Sequence, residues 1–157
     1  KAVHSGVRIS FLQKICIDCL LEGLKDLGFI KGRYEDAFER KIYRLFYPHG
    51  ISHMLGLDTH DVFVKEKKRS SGEVRADITL KENYVITVEP GLYFNPYVLT
   101  DKTTRRQHRD LVCWDRVDSF LNFGGIRIED NVVVTTEGYF NLTQVPKRVE
   151  EMESIKS

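Results

Sequence analysis

The hydrophobic period changes part-way along this chain, and no other feature limits its fold as strongly. From about Ile9 to Leu27 the apolar side chains Leu12, Ile15, Cys16, Cys19, Leu20, Leu24 and Leu27 recur at three- and four-residue spacing, which lays one face of a helix on a core. Gly28 follows as a C-terminal stop. The same spacing predicts a second helix over roughly Tyr34 to Phe46, with Ala37, Phe38, Ile42, Leu45 and Phe46 inward, broken by Pro48-His49-Gly50. Beyond it, Tyr84 to Glu89 and Gly125 to Thr135 are rich in β-branched residues and predict strands. Glu137-Gly138 supplies a turn into Phe140-Asn141-Leu142, which predicts a hairpin. Both periods in one chain of 157 residues predict a mixed α/β (α+β) unit with a core of its own.

Charge narrows the partners. The chain carries 24 Lys+Arg against 23 Asp+Glu, a net +1, so no broad field draws it to nucleic acid or to an anionic membrane. The basic run Arg105 to Arg109 reads as a solvated loop or short helix. No apolar run approaches the roughly 20 residues that a membrane span needs. Three cysteines, one necessarily unpaired, fit a reducing, cytoplasmic setting better than a secreted one. Cys16-Ile17-Asp18-Cys19 sits mid-helix without a second pair, so core packing is its expected role. Asn141-Leu142-Thr143 is a glycosylation sequon that matters only in a secreted protein. The chain starts at Lys1 without an initiator methionine, and we expect it to be a piece of a longer protein.

Three of the five histidines, His49, His53 and His60, fall within one 12-residue window flanked by glycines. Imidazole at neutral pH serves as metal ligand, proton shuttle or hydrogen-bond donor, so such a cluster reads as a site. Glu89 ends an apolar strand at Val88-Glu89-Pro90-Gly91, and alternation places Arg127 and Glu129 on one face with Ile126 and Ile128 on the other. Taken singly, these are a strand end and an ordinary charged face. A buried carboxylate, however, needs a cation or hydrogen bonds to offset its desolvation. One imidazole with several carboxylates and no thiolate suits Mn²⁺ or Co²⁺ better than structural zinc, with Zn²⁺ the remaining possibility.

The runs Pro48-His49-Gly50-Ile51-Ser52-His53-Met54-Leu55-Gly56-Leu57-Asp58-Thr59-His60-Asp61-Val62, Thr87-Val88-Glu89-Pro90-Gly91-Leu92-Tyr93 and Gly124-Gly125-Ile126-Arg127-Ile128-Glu129-Asp130 carry a resemblance. Together they resemble the second half of the pita-bread metallopeptidases, nearest to proline dipeptidase (prolidase) and aminopeptidase P. The likeness implies that residues 1–157 are the C-terminal part of one pita-bread catalytic domain, the N-terminal domain and the first half of the catalytic domain lying outside it. It implies two divalent ions, with Mn²⁺ expected, and His53, Glu89 and Glu129 as ligands. Glu89 would also help activate a bridging water as general base. His49 and His60 would position substrate, shuttle protons and stabilise the tetrahedral intermediate. Arg127 would balance the site's charge beside Glu129.

This sequence departs from the family pattern in one respect that governs activity. Two aspartates complete the dinuclear site in that family, and no segment before His49 matches their strand-borne motif; Asp18 and Asp26 lie on the first helix pattern. Three of five protein ligands would be present, so the piece is expected to be inactive alone. Arg75, fourteen positions before Glu89, matches the place where prolidases carry an arginine for a dipeptide's free carboxylate. A surface arginine in the charged stretch Lys65 to Arg75 is the ordinary alternative. The long Asn95 to Phe123 connection also resembles prolidase more than the shorter bacterial aminopeptidase version, so it and Arg75 favour an Xaa-Pro dipeptidase, and the resemblance further implies a homodimer. The rivals are aminopeptidase P and a non-catalytic pita-bread binding module.

Overall fold

The computed structural model describes residues 2–62 and 77–155. Helix α1 (Ile9–Asp26) forms where the pattern predicts and ends at Leu27, with Gly28 following at φ 75°, a left-handed conformation that glycine adopts without penalty. Its buried face is Ile9, Leu12, Gln13, Cys16, Ile17, Leu21 and Leu24. Cys19 and Leu27, expected inward, are exposed, because the core-facing stripe runs through Ile17 and Leu21 instead. Cys16 packs in the core as expected and is pushed up to about 11, by burial above all.

The predicted second helix is shorter. Helix α2 is Tyr34–Glu39, and a 3₁₀ turn, Ile42–Leu45, follows it. Between them Lys41 takes φ 53°, while Arg40 reaches away from the helix axis to Asp110 Oδ1 at 3.0 Å. A lysine in the left-handed region gives no stop signal of the kind a glycine does, so the interruption is not visible in the local periodicity. Phe46 and Tyr47 still end up buried.

The N-terminus of α1 is capped from a distance. Its own N-cap residue, Arg8, supplies no side-chain acceptor. Asp77 accepts from the Ser10 amide at 3.0 Å and pairs with Arg8 at 3.0 Å. Burial would raise the Asp77 carboxyl, but the hydrogen bonds from Ser10 and Arg8 outweigh it and hold the group below the usual carboxylate range. A depressed carboxylate stabilises the folded state above its unfolded pKa and loses that contribution as pH falls through the folded value. Asp77→Ala is therefore expected to cost about 1–2 kcal/mol at pH 7. Urea unfolding should show the gap between the two proteins narrowing below about pH 4.

The strands are β1 (Val85–Val88), β2 (Gly91–Tyr93), β3 (Gly125–Arg127), β4 (Asp130–Val134) and β5 (Tyr139–Asn141). β1 and β2 pair antiparallel with β4 and β3 respectively, and β4 turns into β5 as the predicted hairpin. The single strand expected over Gly125 to Thr135 is thus divided. Yet the pairs Val88↔Asp130 and Gly91↔Arg127 belong to one continuous register, in which Glu89 stands opposite Glu129 and Pro90 opposite Ile128. Pro90 has no N–H to give the ladder, so regular pairing lapses there, while Ile128 N still donates to the Pro90 carbonyl at 3.1 Å. On the other edge of β1, residues 51–55 run antiparallel. Leu55 N donates to Val85 O, Thr87 N to His53 O and Glu89 N to Ile51 O, at 2.9–3.0 Å.

Two apolar clusters flank this arrangement. The first half of α1 packs with Tyr47, Ile51, Leu80, Ile86, Val132 and Val134. Its second half packs with Phe29, Phe46, Phe94, Leu99 and Val117. The Asn95 to Phe123 connection folds into three short helices, α3 (Pro96–Leu99), α4 (Lys102–Gln107) and α5 (Trp114–Asp118). The basic run therefore lies partly on a short helix, where Arg105 pairs with Asp118 and stacks on Trp114. A last helix, α6 (Val149–Ile155), is exposed throughout. Among the described residues, no helix is long and apolar enough to cross a membrane.

Candidate active site

Register places the site on one face of the paired strands. Alternation along β1 and β2 sets Thr87, Glu89, Gly91 and Tyr93 on one side, opposite Asn131, Glu129, Arg127 and Gly125 on β4 and β3. His53 enters beside Thr87 from the neighbouring strand segment. The result is two carboxylates facing each other across an antiparallel pair, an arrangement that is unfavourable unless a cation lies between or beside them.

The donors converge. Atoms of His53, Glu89 and Glu129 all lie within 4.8 Å of one another, with His53 Nε2 3.2 Å from Glu89 Oε1. The side chains of His53 and Glu89 are 10% and 13% exposed, against 37% for Glu129, so the first two stand where an uncompensated charge is expensive. His53 Nδ1 is 3.0 Å from the Met54 carbonyl, which can only accept. The ring therefore carries its proton on Nδ1 and turns Nε2 toward the carboxylates, the tautomer a metal ligand needs. Bonds of about 2.1 Å would draw donor atoms to within about 4.2 Å of each other, a small side-chain adjustment from the present spacing. An oxygen-rich set with one imidazole and no thiolate fits a divalent cation.

Thr87, which sequence reasoning passed over, ties two of these residues together. Its hydroxyl accepts from His53 N at 3.1 Å and donates to Glu89 Oε1 at 3.0 Å, and it is 1% exposed. Arg127 Nε lies 3.3 Å from Glu129 Oε2 and 4.0 Å from Glu89 Oε2. The same-face expectation for Arg127 and Glu129 holds, although Ile126 and Ile128 are exposed and not packed inward. Hydrogen bonding to Tyr93 foremost, then the charges of Glu129 and Glu89, raise the already high pKa of Arg127, so it remains a cation.

His49, Gly50, Ser52, His53, His60 and Glu89 line a cavity of about 210 Å³. His60 is exposed and sets its ring against His53 with centroids 4.3 Å apart. His49 has both nitrogens engaged, Nδ1 with the Gly50 carbonyl and Nε2 with the Tyr93 hydroxyl, each at 2.9 Å. Tyr93 is the second residue that sequence reasoning missed; its place four residues after Glu89, on the same alternating face, was the available signal. Arg75 lies outside the described residues.

The sequence model of metallopeptidase family M24 matches residues 1–136. The chain belongs to metallopeptidase family M24. Among curated relatives, the protein named "Probable Xaa-Pro aminopeptidase pepP" of Botryotinia fuckeliana (strain B05.10) is 40% identical over 157 residues, spanning 98% of this chain and 34% of its own length. Among solved structures, zinc-substituted Escherichia coli aminopeptidase P in complex with product is 34% identical at a TM-score of 0.72, over 98% of this chain and 30% of that one. Proline aminopeptidase P II from Yersinia pestis is 33% identical at a TM-score of 0.71, with the same coverage of 98% and 30%. This M24 chain thus spans about a third of the length of the curated relatives it matches. Its fold is the pita-bread fold expected from the three motifs. Membership of M24 implies divalent metal ions, which the donor set of His53, Glu89 and Glu129 fits.

Proposed function

We propose that this chain is the C-terminal part of the catalytic domain of an Xaa-Pro aminopeptidase, a peptidase that removes the residue before a proline. The observation that supports this reading is the convergence of His53, Glu89 and Glu129 in an M24 chain whose relatives bear the name Xaa-Pro aminopeptidase. The dipeptidase reading favoured from the sequence gives way to its alternative. Of the two features that favoured a dipeptidase, Arg75 lies outside the described residues, and the Asn95 to Phe123 connection stands in a chain matched over 98% of its length by a relative named Xaa-Pro aminopeptidase. Two divalent ions with Mn²⁺ foremost, a homodimer and a cytoplasmic setting belong to the same proposal.

His53, Glu89 and Glu129 would hold metal, with two further ligands supplied from outside these residues. When bound, the ions polarise the scissile carbonyl and acidify water. The chain's own groups do the rest. Thr87 fixes the Glu89 carboxylate through Oε1, leaving Oε2 to receive a proton as general base. Arg127 offsets the two opposed carboxylates without displacing a ligand. His60, at the cavity rim and without a hydrogen-bond partner among the described residues, is placed to donate to the oxygen of the tetrahedral intermediate. His49, its nitrogens already engaged, forms a wall of the cavity.

The test uses the full-length protein with Mn²⁺ on an Xaa-Pro dipeptide and on the same dipeptide extended by one residue. An aminopeptidase should show a kcat/KM at least about tenfold higher for the tripeptide. A preference for the dipeptide would restore the prolidase reading, and no cleavage of either would remove both.

A further inference from the structure

Two side chains complete the ladder between β1 and residues 51–55. The carbonyls of Ile51 and His53 accept from Glu89 N and Thr87 N, at 2.9 and 3.0 Å, but the amides of the same two residues donate to side chains. His53 N donates to Thr87 Oγ1, and Ile51 N donates to Gln13 Oε1 at 2.7 Å. Gln13 stands on α1, 38 residues from its partner. It is 3% exposed on a helix face whose other buried members include Ile9, Leu12, Cys16 and Ile17. A carboxamide buried there costs free energy unless it is hydrogen-bonded, and an apolar side chain of similar length would fill the same space. What the polar group adds is an acceptor for the Ile51 amide.

That amide shares one rigid peptide plane with the Gly50 carbonyl, and the Gly50 carbonyl lies 2.9 Å from His49 Nδ1. In a trans peptide the N–H and C=O point in opposite directions, so the Gly50–Ile51 unit is held by Gln13 on one side and meets the His49 ring on the other. The carbonyl can only accept, and the imidazole therefore carries its proton on Nδ1. Gly50 has no side chain to fix the plane by itself. Beyond the plane, Ile51 O accepts from Glu89 N. One buried oxygen on α1 thus anchors the backbone that lies between the histidine wall of the cavity and the carboxylate strand.

We propose that Gln13 is a positioning residue that reaches from the buried face of α1 to the Gly50–Ile51 peptide and, through that peptide, holds the His49 ring in one tautomer and one orientation at the cavity wall. Its oxygen acts through a single backbone plane, not on the substrate. This rests on the functional reading above for its kinetic readout, and its test is separable from that reading because the spectroscopic readout needs no turnover.

In the full-length protein, Gln13→Met keeps the length of the side chain and removes its carbonyl oxygen, whereas Gln13→Glu keeps an acceptor oxygen in either protonation state. The ring is followed in zinc-loaded protein labelled with ¹⁵N-histidine, its resonances assigned by their loss in His49→Asn. Wild type should show the Nδ1–H tautomer. In Gln13→Met the Nδ1 resonance should shift and its proton should exchange with water at least about tenfold faster, because the peptide that accepts it has lost its anchor. The same variant should lower kcat/KM for an Xaa-Pro tripeptide by about 10- to 100-fold, the range for losing a partner that orients a site group. Gln13→Glu should bring both readouts back to within about threefold of wild type, since the acceptor is restored. An Nε2–H tautomer in wild type overturns the proposal even if Gln13→Met does not fold. An unmoved Nδ1 resonance in folded Gln13→Met, a kcat/KM there within about twofold of wild type, or a Gln13→Glu protein as impaired as Gln13→Met would each overturn it as well. If wild-type protein cleaves no Xaa-Pro peptide while the resonance responds as expected, the positioning role stands and the functional reading fails.

Discussion

Replacing His53 with alanine in the full-length protein should lower hydrolysis of Xaa-Pro peptides by about a thousandfold or more and weaken metal binding in step. Each decade corresponds to about 1.4 kcal/mol of transition-state stabilisation, and metal polarisation of a reacting carbonyl supplies several kcal/mol. The fold should survive, because the backbone of residue 53 keeps its ladder. Its amide still reaches Thr87 Oγ1 and its carbonyl still accepts from Thr87 N. What disappears is the Nε2 donor beside Glu89, leaving two opposed carboxylates with Arg127 as their nearest cation among the described residues. Glu89→Gln offers the complementary change, since it keeps the side chain's size and its Thr87 contact while removing both the charge and the base. Titration calorimetry with Mn²⁺ and peptide hydrolysis should fall together in both variants. Retention of activity within about tenfold in His53→Ala would show that the cluster is an ion-pair network and not a metal site.

The second large effect concerns the 157-residue chain by itself. We expect no measurable cleavage of Xaa-Pro peptides and Mn²⁺ affinity at least about a hundredfold below that of the full-length protein. Affinity for a hard divalent ion depends on the number and charge of its oxygen ligands, and these residues bring one imidazole and two carboxylates together. The chain's span of about a third of its relatives accords with further ligands lying elsewhere in the full-length protein. Equal activity per mole in the isolated chain and the full-length protein would refute the expectation of an incomplete cage. Restoration of activity by adding a separately expressed upstream portion would support it.

Local signals were read well wherever local energetics decide. Helix α1, its stop at Gly28, the strand around Val85–Val88 and the hairpin after Val134 follow from period, turn chemistry and β-branching over a few residues. The shortened α2 escaped detection because the chain turns at Lys41 with φ 53°, and a lysine, unlike a glycine, gives no local sign of a left-handed backbone. The division of the strand around Glu129 escaped because its cause, Pro90, sits on the partner strand. Thr87 and Tyr93 were legible in principle, sharing the alternating face of Glu89, but neither residue type announces a role in one dimension.

The sequence by itself determined which groups this protein has available: one histidine-rich turn, two strand-borne glutamates and an arginine two residues from one of them. Only the tertiary structure decided that they meet. His53 and Glu89 are 36 residues apart, and Glu89 and Glu129 are 40 apart. Their encounter depends on one antiparallel register that carries through Pro90 and sets the two carboxylates opposite each other. A slip of one residue would turn Glu129 to the other face. That register is held by side chains packed on the apolar side of the strands, Ile86 and Val132 against α1, so the hydrophobic core fixes where the charges of the site must stand.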